Sequence, residues 1–363
     1  MKTMPFWATA TLVSDSETPL DFQVSLEDMV SSTGRLTDGE LSQYSAKGTP
    51  FTKGDVLFGK LRPYLAKYWL ADREGTAGGD IHVYRPDADV EPRYLAYIVG
   101  SRNFVRFAEA ASKGVKMPRA EWMSLREYPV TAYDIDTQRA IADYLDRETG
   151  EIDAMIAKMD ELAQTLEMRR GRAVDALLDD LPASTEWIPS KFVVKIRTGS
   201  GDTKDAVEHG EYPFYVRSQT PKSHDRWEFD GDAVLTAGDG AGVGKVFHFV
   251  TGKFMAHQRV YVINDFDGVV PKYYFHLFKH LFPKVATDGT AKATVDSVRH
   301  RMIADLRIPF PAPTEQRRIA DHLDEVTGKI DAMQAKVAEL KSLLMERRAA
   351  LITDVVTGRK VVA

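Results

Sequence analysis

The sequence contains no cysteine among its 363 residues. That absence excludes a disulfide framework and thiolate metal sites, and it is consistent with a reducing cytoplasm. The sequence also has no apolar run of about 18 residues, so no transmembrane helix is expected. Its first residues, MKTMPFWATATLVSDSETP, lack a long apolar stretch and carry acidic residues early, so no signal peptide is expected. These absences predict a cytoplasmic protein with no membrane contact.

The motifs of several enzyme classes are also missing. The glycine-rich segment GDGAGVGK at 238–245 departs from the Walker pattern twice, because Asp239 stands at the first glycine position and Val246 follows the lysine. It fits a dinucleotide-binding glycine pattern no better. No serine hydrolase elbow, zinc-protease motif or methyltransferase loop is present. His276 and His280 have helical metal-ligand spacing, but packing or surface roles are favoured. We therefore predict no catalytic residue, no metal ligand and no cofactor for this chain.

Net charge is −5, and its distribution is uneven. The net charge is −1 over residues 1–133, −7 over 134–183, +2 over 184–312 and +1 over 313–363. The acidity therefore lies in one segment that reads as a helix. The other segments are nearly neutral, so any affinity for nucleic acid should be modest and salt-sensitive unless a partner adds phosphate contacts.

One segment of the sequence occurs twice. Residues 137–174 align without gaps to residues 315–352 at an offset of 178, and 20 of 38 positions are identical. Each copy follows roughly 130 residues that differ between the two halves. The sequence therefore predicts four segments, namely globular regions at 1–133 and 184–312 and helical spacer regions at 134–183 and 313–363.

Both copies of the repeat have heptad spacing, which is typical of a coiled-coil seam. The first row of apolar residues comprises Leu145, Ile152, Met159, Leu166 and Ala173 in one copy, and Leu323, Ile330, Val337, Leu344 and Leu351 in the other. The second row comprises Ile141, Met155 and Leu162, and Ile319, Met333 and Leu340. Each helix should measure about 60 Å, with the first capped by Asp136 or Thr137. An antiparallel pair is favoured, since the second globular region must return the chain; two arms of an ordinary bundle are the alternative. Gly150 and Gly328 lie at matching positions and indicate a kink or a close approach of another helix.

The two globular regions share a plan of strands, then a helix, then a basic loop that starts with glycine. VLFGKLRPYLAKYWLA and GDIHVYRP read as strands of the first region, and PRYLAYIVGSRNFVRFAEAAS reads as its helix. In the second region AVLTAG, KVFHFV and RVYVINDF read as strands, and KYYFHLFKHLFPKVA reads as a helix. The first region has no clear counterpart to EWIPSKFVVKI at 186–196: either PFWATATLV fills that role imperfectly, or the N-terminus is shortened. The fold class predicted is α+β, with two α/β domains separated by two long helices that form an antiparallel coiled coil with pseudo-two-fold symmetry.

Clusters of basic and amide side chains in both regions are candidates for DNA contact. Arginine can bind guanine through two hydrogen bonds, glutamine can bind adenine, and lysine beside glycine suits phosphate. A solvated surface is the alternative for any single one of these side chains. The candidates are Lys60, Arg62, Tyr64, Lys67, Lys113, Lys116 and Arg119 in the first region, and Arg217, Ser218, Gln219, Lys222, Lys245, Gln258, Arg259, Lys292, Arg299 and Arg301 in the second.

The sequence resembles the DNA-specificity subunits of type I restriction–modification systems. The resemblance rests on GDVLFGKLRPYLAKYW followed by QRAIADYLD at 138–146, and on QRRIADHLD at 316–324, each leading into a heptad helix. It covers nearly the whole chain, and it is more specific in the repeats than in the globular regions.

The resemblance implies two target-recognition domains that each read one half of a split double-stranded DNA site. The helices would fix the number of unread base pairs, and two adenine methyltransferase subunits that bind S-adenosylmethionine would dock on helix faces unused in the pair. Motor–nuclease subunits would join for cleavage. Two alternatives stay open: a specificity module of a system whose partner both methylates and cuts, and a coiled-coil scaffold that binds only proteins.

Overall fold

The computed structural model describes residues 2–44, 46–286 and 297–362. It contains two compact units, one formed by residues up to Glu161 together with those from Val337 onward, and the other by Leu162–Lys336. Each long helix contributes residues to both units. Within the described ranges, no helix has the length and apolarity needed to cross a membrane. The four-segment division drawn from the sequence stays a prediction.

Unit 1 is a set of small sheets covered by helices, and all of its strand pairs are antiparallel except β3 with β9. Its sheets have the strand orders β2-β10-β7-β8, β3-β9-β6, β1-β11 and β4-β5. Its strands are β1 (Thr3–Pro5), β2 (Ala10–Val13), β3 (Gln23–Val24), β4 (Met29–Val30), β5 (Arg35–Leu36), β6 (Thr49–Phe51), β7 (Val56–Gly59), β8 (Tyr68–Leu70), β9 (Gly75–Ala77), β10 (Ile81–Pro86) and β11 (Pro129–Thr131). Its helices are α1 (Pro92–Gly100), α2 (Arg102–Ala110), α3 (Trp122–Leu125), the first part of α4 (Ile135–Asp179) and the last part of α7 (Pro313–Val356).

Unit 2 repeats this design with different side chains. Its sheets have the orders β13-β19-β16-β17, β15-β14-β18 and β12-β20. Its strands are β12 (Trp187–Pro189), β13 (Lys195–Thr198), β14 (Tyr212–Tyr215), β15 (Lys222–His224), β16 (Ala233–Ala237), β17 (Phe247–Val250), β18 (Met255–Ala256), β19 (Val260–Asn264) and β20 (Arg307–Pro309). Its helices are α5 (Pro271–Ala286), α6 (His300–Ala304), the last part of α4 and the first part of α7.

The N-terminal segment PFWATATLV fills the place of its counterpart in unit 2. In unit 1, strand β1 and a short 3-10 turn lead into β2, and Phe6 N–H donates to the Tyr128 carbonyl at 2.9 Å. In unit 2, β12 and a similar turn lead into β13, and Ser190 N–H donates to the Leu306 carbonyl at 2.8 Å. Of the two alternatives drawn from the sequence, the first is therefore confirmed.

The repeated glutamine explains much of the repeated sequence. The buried Gln138 side chain accepts a hydrogen bond from Glu91 N–H and donates to the carbonyls of Asp89 and Tyr133. The same three hydrogen bonds recur in unit 2. There the buried Gln316 accepts from Val270 N–H and donates to the carbonyls of Gly268 and Pro311. Each glutamine thus ties the start of a long helix to the start of the domain helix beside it.

The rest of the repeated motif continues this attachment. Ile141 and Leu145 are buried in the core of unit 1, as Ile319 and Leu323 are in unit 2. The aspartate that ends the motif then pairs with the domain helix. Asp146 accepts from Arg93 and Tyr97, whereas Asp324 accepts from Lys272 and His276. The repeat is therefore a device that fixes each globular region to its long helix.

In unit 1 the two long helices pair antiparallel. Arg348 donates to Asp153 at 2.9 Å, and Lys341 donates to Asp160 at 2.5 Å, so residue numbers rise on α4 as they fall on α7. Arg348 is buried and also donates to the carbonyls of Ser32 and Thr33. One arginine therefore joins both helices to the β4–β5 turn of the domain.

In unit 2 the same pairing recurs at the same repeat positions. Arg170 forms an ion pair with Asp331, and both residues lie 178 positions from their counterparts Arg348 and Asp153 with the helices exchanged. Gln334 also donates to Glu167 at 3.2 Å. The antiparallel coiled coil expected from the heptads is thus present in each unit.

The two heptad rows do not behave alike. The first row supplies the buried seam, including Ile152, Leu166, Ile330 and Val337. The second row is buried only where a domain covers it, and its central members stay exposed: Met155 and Leu340 in unit 1, and Leu162 and Met333 in unit 2. At these central positions the first row alone forms the buried seam, whereas the sequence predicted a seam of two rows.

Two local predictions need correction. The single helix expected over 92–112 is divided into α1 and α2, because Ser101 leaves the helical conformation and its hydroxyl caps Phe104 N–H. Helix α4 is capped by Asp134, whose carboxylate accepts from Thr137 N–H at 2.8 Å, rather than by Asp136 or Thr137. Gly150 and Gly328 are exposed, and apart from the surrounding turns of their own helices no described atom lies within 4 Å of a Cβ placed there.

Candidate nucleic-acid interface

In unit 1 the basic loops meet at one end of the main sheet. Lys60, just after β7, donates its N–H to the Asp80 carbonyl and accepts from Ala120 N–H, both at 2.9 Å. Arg62 N–H donates to the Pro118 carbonyl at 2.7 Å. These bonds join residues 60–66, 78–80 and 113–120, which we name loop cluster 1. Two segments that the sequence analysis treated separately are therefore one surface.

Loop cluster 1 is basic and largely unneutralised. Arg62, Lys113 and Lys116 are exposed and Lys60 is half-buried, and these four form no ion pair with the described residues. Arg119 is the exception, since its guanidinium contacts the Asp80 carboxylate at 2.8 Å. Such a surface can bind several phosphates without first breaking internal ion pairs.

Strained backbone shapes the first segment of loop cluster 1. Arg62 and Ala66 have φ values of 51° and 48°, a left-handed conformation that costs a non-glycine residue free energy and that is found often at functional sites. Between them Tyr64 is exposed. Lys67 differs from its neighbours, because its ammonium donates to the Leu26 carbonyl at 2.8 Å and it is half-buried. Lys67 is therefore better placed to support the β3–β4 loop than to contact a ligand.

Unit 2 builds an equivalent surface on the same main-chain frame. Gly238, just after β16, donates its N–H to the Arg259 carbonyl and accepts from Val298 N–H, both at 2.8 Å. A Cβ at Gly242 would lie 2.6 Å from the Arg217 carbonyl, so this glycine permits the loop to pack on the neighbouring chain. We name residues 217–219, 238–245, 257–259 and 297–301 loop cluster 2. The glycine-rich segment is thus a close-packed turn.

An aspartate brings two of the candidate arginines together in loop cluster 2. Asp239 accepts from Arg217 Nη1 at 2.6 Å through one carboxylate oxygen and from Arg259 Nη1 at 2.7 Å through the other. Burial opposes ionisation of this carboxyl, but the hydrogen bonds and charges of both arginines outweigh it and lower its pKa. Asp239 is therefore an anion at neutral pH, and the three side chains together carry one positive charge.

The buried His257 supports this arrangement from below. Its Nδ1 accepts from Arg259 N–H at 3.0 Å, which requires an unprotonated Nδ1. Burial lowers the pKa of His257, and the nearby positive charges of Arg217 and Arg259 lower it further. A neutral His257 fixes the backbone from which Arg259 projects.

The other candidates of unit 2 lie on or near this surface without strong internal partners. Ser218 donates to the Thr220 carbonyl at 2.8 Å, and Arg301 lies 3.9 Å from Asp305 in an exposed ion pair. Side chains that are exposed and have no ion pair in the described residues are Gln219, Lys222, Lys245, Gln258 and Arg299. Lys292 lies outside the described residues.

The histidines with metal-ligand spacing point to different partners. His276 contacts Asp324 at 2.8 Å, and His280 contacts Asp175 at 2.6 Å. Among the described residues, no group of three or more histidine and acidic side chains is placed to hold a metal. Both histidines attach the domain helix α5 to the long helices.

Sequence reasoning missed the residues that organise the basic side chains. Neither Asp80 nor Asp239 was predicted to pair with a basic side chain. Asp239 was considered only because it departs from a nucleotide-binding pattern. An acidic residue inside a glycine-rich, otherwise basic loop is the signal that could have identified Asp239.

Comparisons with known proteins agree with the features above. Residues 192–342 match the family model of the type I restriction modification DNA specificity domain. This chain is therefore similar to that family over these residues. It is 29% identical over 178 residues to the EcoDI specificity subunit of Escherichia coli, covering 49% of this chain and 39% of that protein. It is also 22% identical over 216 residues to the StySPI specificity subunit of Salmonella potsdam, covering 56% of this chain and 42% of that protein.

A solved structure of a type I restriction–modification system has the same fold. One of its chains superposes with a TM-score of 0.72 at 17% sequence identity, covering 98% of this chain and 97% of that chain. The chain matches less than half of the length of each of these relatives. The fold expected from the resemblance is thus confirmed, and residues 192–342 match the family model to which the repeated motif pointed.

Proposed function

We propose that this specificity-family chain is the sequence-specific DNA-binding subunit of a type I restriction–modification complex, with each unit reading one half of a bipartite site. The supporting observation is the pair of loop clusters. Both use the same main-chain hydrogen bonds, yet they present different exposed side chains. Side chains at base edges carry sequence information, whereas main-chain geometry sets position. One frame with two side-chain sets suits the reading of two different half-sites.

The experiment is adenine-methylation mapping by single-molecule sequencing in a methylation-free host. The host would carry this chain with its neighbouring methyltransferase gene, and the control would carry the methyltransferase alone. A split motif that is methylated only when this chain is present is expected. If the two proteins purify together and no motif is methylated, the proposal is wrong and a protein-binding scaffold is favoured.

We also propose that two S-adenosylmethionine-dependent methyltransferase subunits dock on the long helices, and that motor–nuclease subunits join them for cleavage. The exposed second heptad row supports this, because large apolar side chains at repeated positions favour helix packing. Met155 and Leu340 supply it in unit 1, and Leu162 and Met333 supply it in unit 2. On this proposal the chain itself binds no cofactor, catalyses no reaction and acts in the cytoplasm.

The docking proposal is tested by Met155→Glu with Leu340→Glu. Placing two carboxylates in an apolar interface should abolish co-purification of one methyltransferase subunit, since burial of unpaired charge is costly. Met123→Glu is the control, because Met123 is also an exposed apolar residue of unit 1 but lies on α3 of the domain. Unchanged co-purification in the double variant would contradict docking at these residues.

The helices are further proposed to set the number of unread base pairs between the half-sites. Inserting four residues after Ala163 lengthens a helix by about 6 Å, compared with about 3.4 Å per base pair. The methylated motif should then change its spacer length or disappear. Full methylation with an unchanged spacer would exclude the helices as the ruler.

A further inference from the structure

Loop cluster 2 holds its two arginines in a fixed arrangement. Asp239 is 19% exposed, and its two oxygens each accept from one guanidinium. The arginine side chains remain 42% exposed for Arg217 and 58% for Arg259. A mostly buried carboxylate thus orients two groups that face solvent.

The atoms used in this arrangement leave the recognition edges open. Both arginines donate to Asp239 through Nη1. Their Nε and Nη2 groups make no hydrogen bond to the described residues and form a pair of parallel donors on each guanidinium. Guanine presents two acceptors, O6 and N7, at the spacing that such a pair of donors matches in the major groove.

Main-chain contacts fix the points from which both arginines project. The Arg259 carbonyl accepts from Gly238 N–H, and Arg259 N–H donates to the buried His257. Arg217 packs its carbonyl against Gly242, which has no side chain to displace it. Fixing a long side chain before binding removes part of the entropic cost that a free arginine would otherwise meet on contact.

A purely structural role does not account for the group. Ion pairs with exposed arginines contribute little to stability, because water and salt screen them. One carboxylate with two arginines also leaves excess positive charge on the surface. At the equivalent frame position of unit 1, the single pair Arg119–Asp80 takes its place, so the fold does not require two arginines there.

We infer that Arg217 and Arg259 read guanine in the half-site bound by unit 2, and that Asp239 is the positioning residue that aims them. This inference rests on the proposed function, and it adds the base that one loop cluster recognises. The half-site of unit 2 should contain guanine at positions that depend on these arginines. Asp239 should affect sequence discrimination more than affinity.

Methylation mapping of variants in the assembled complex tests this inference. Arg217→Ala and Arg259→Ala should each relax a guanine position in one half-site, with discrimination falling about 5- to 150-fold. Arg259→Lys keeps the charge and the fold but lacks the fork of parallel donors, so it should relax the same position. Lys222→Ala is the matched control. Loss of this exposed lysine should lower methylation at every site without changing the motif.

Asp239→Ala separates positioning from binding. It removes a negative charge and frees both arginines, so affinity for random DNA should be retained or increase while the same guanine positions relax. The half-site read by unit 1 serves as an internal control, because its unchanged motif shows that each variant folds and assembles.

The inference is overturned if the wild-type half-site of unit 2 contains no guanine, or if the arginine variants and Asp239→Ala leave the motif unchanged. Equal loss at both half-sites would also overturn it, since that result indicates general destabilisation. A wild-type complex that methylates no bipartite motif would instead refute the proposed function itself, so the two failures are distinguishable.

Discussion

The two loop clusters have the same main-chain frame and different chemistry. Lys60 and Gly238 occupy equivalent places. The N–H of each donates to the carbonyl just before the neighbouring strand, and the carbonyl of each accepts from the final loop. Around that frame unit 1 presents lysines that have no internal ion pair, whereas unit 2 presents arginines braced by Asp239. The comparison indicates that hydrogen bonds between main-chain groups allow a recognition surface to diverge, because they do not depend on the side chains that change.

The repeated helices show the opposite relation, with identical side chains in different surroundings. Arg348 and Arg170 occupy the same repeat position and both pair with an aspartate. Arg348 also holds two carbonyls of the β4–β5 turn, and its partner Asp153 is largely buried. The partner of Arg170, Asp331, is mostly exposed. Equal residues therefore need not contribute equal stability.

Comparing Arg348→Ala with Arg170→Ala is the strongest test of this difference between the two arginines. Loss of Arg348 leaves both carbonyls without a partner, and it leaves the largely buried Asp153 with only the exposed Arg35, 3.0 Å away. It should therefore destabilise unit 1 by about 3–5 kcal/mol. Loss of Arg170 leaves Asp331 in water and should cost unit 2 about 1 kcal/mol or less. Hydrogen exchange of β7 and β16 amides in the full chain measures each unit separately. Equal losses would show that the surroundings of the two arginines do not matter.

Gln138→Leu and Gln316→Leu should, by contrast, give matched effects. Each buried side chain satisfies three main-chain groups at the start of its helix. At about 1 kcal/mol net for each bond, either change should destabilise its unit by about 3 kcal/mol. The neighbouring exposed arginines Arg139 and Arg317 supply the controls, and replacing them with leucine should change unfolding little. A large loss in only one unit would contradict the equivalence of the two attachments.

Sequence periodicity predicted the long helices, and the need for the second globular region to return the chain predicted their antiparallel pairing. Apolar spacing reports which face is buried, and the 178-residue offset reports that the unit is duplicated. Periodicity could not show that Met155 and Leu162 stay exposed, because burial depends on how many helices surround a row. It also could not reveal the role of Gln138, whose three bonds depend on main-chain groups distant in the sequence.

The candidate site was predicted in part for a similar reason. The basic side chains of both loops were identifiable, since lysine and arginine clusters are visible in the sequence. Their organisation was not, because Asp80 and Asp239 meet arginines that lie 20 to 39 positions away. Lys67 shows the same limit: its basic character is visible in the sequence, but its bond to the Leu26 carbonyl exists only in the fold.

A buried histidine gives unit 1 its own response to acid. Burial, with a smaller effect of Lys60, lowers the pKa of His82 to about 3, whereas the unfolded value is near 6.5. The stability that neutral His82 contributes is therefore complete above pH 6.5 and is lost as pH falls toward 3. At pH 5 the loss in the free energy of unfolding is about 2 kcal/mol. The equivalent residue of unit 2 is Tyr261, which does not titrate in this range.

His82→Gln should remove this part of the acid response from unit 1. Unit 2 should keep its own response, because burial also lowers the pKa values of His248 and His257. Hydrogen exchange of β10 and β19 amides at pH 7 and pH 5 compares the two. If β10 loses protection equally in the variant and the wild type, His82 is not the group responsible.

The smallest expected effect concerns how loop cluster 1 binds DNA. Lys113 and Lys116 are exposed and have no ion pair in the described part of the chain, so they suit phosphate rather than bases. Lys113→Ala with Lys116→Ala should weaken binding of every sequence alike and lower the salt dependence of log K by about 2, near 0.9 for each lost phosphate. Titrations of the assembled complex with specific and random DNA at several salt concentrations measure both quantities. A change in the methylated motif would instead place these lysines at base edges, and the contrast between the phosphate-binding lysines of unit 1 and the base-reading arginines of unit 2 would then fail.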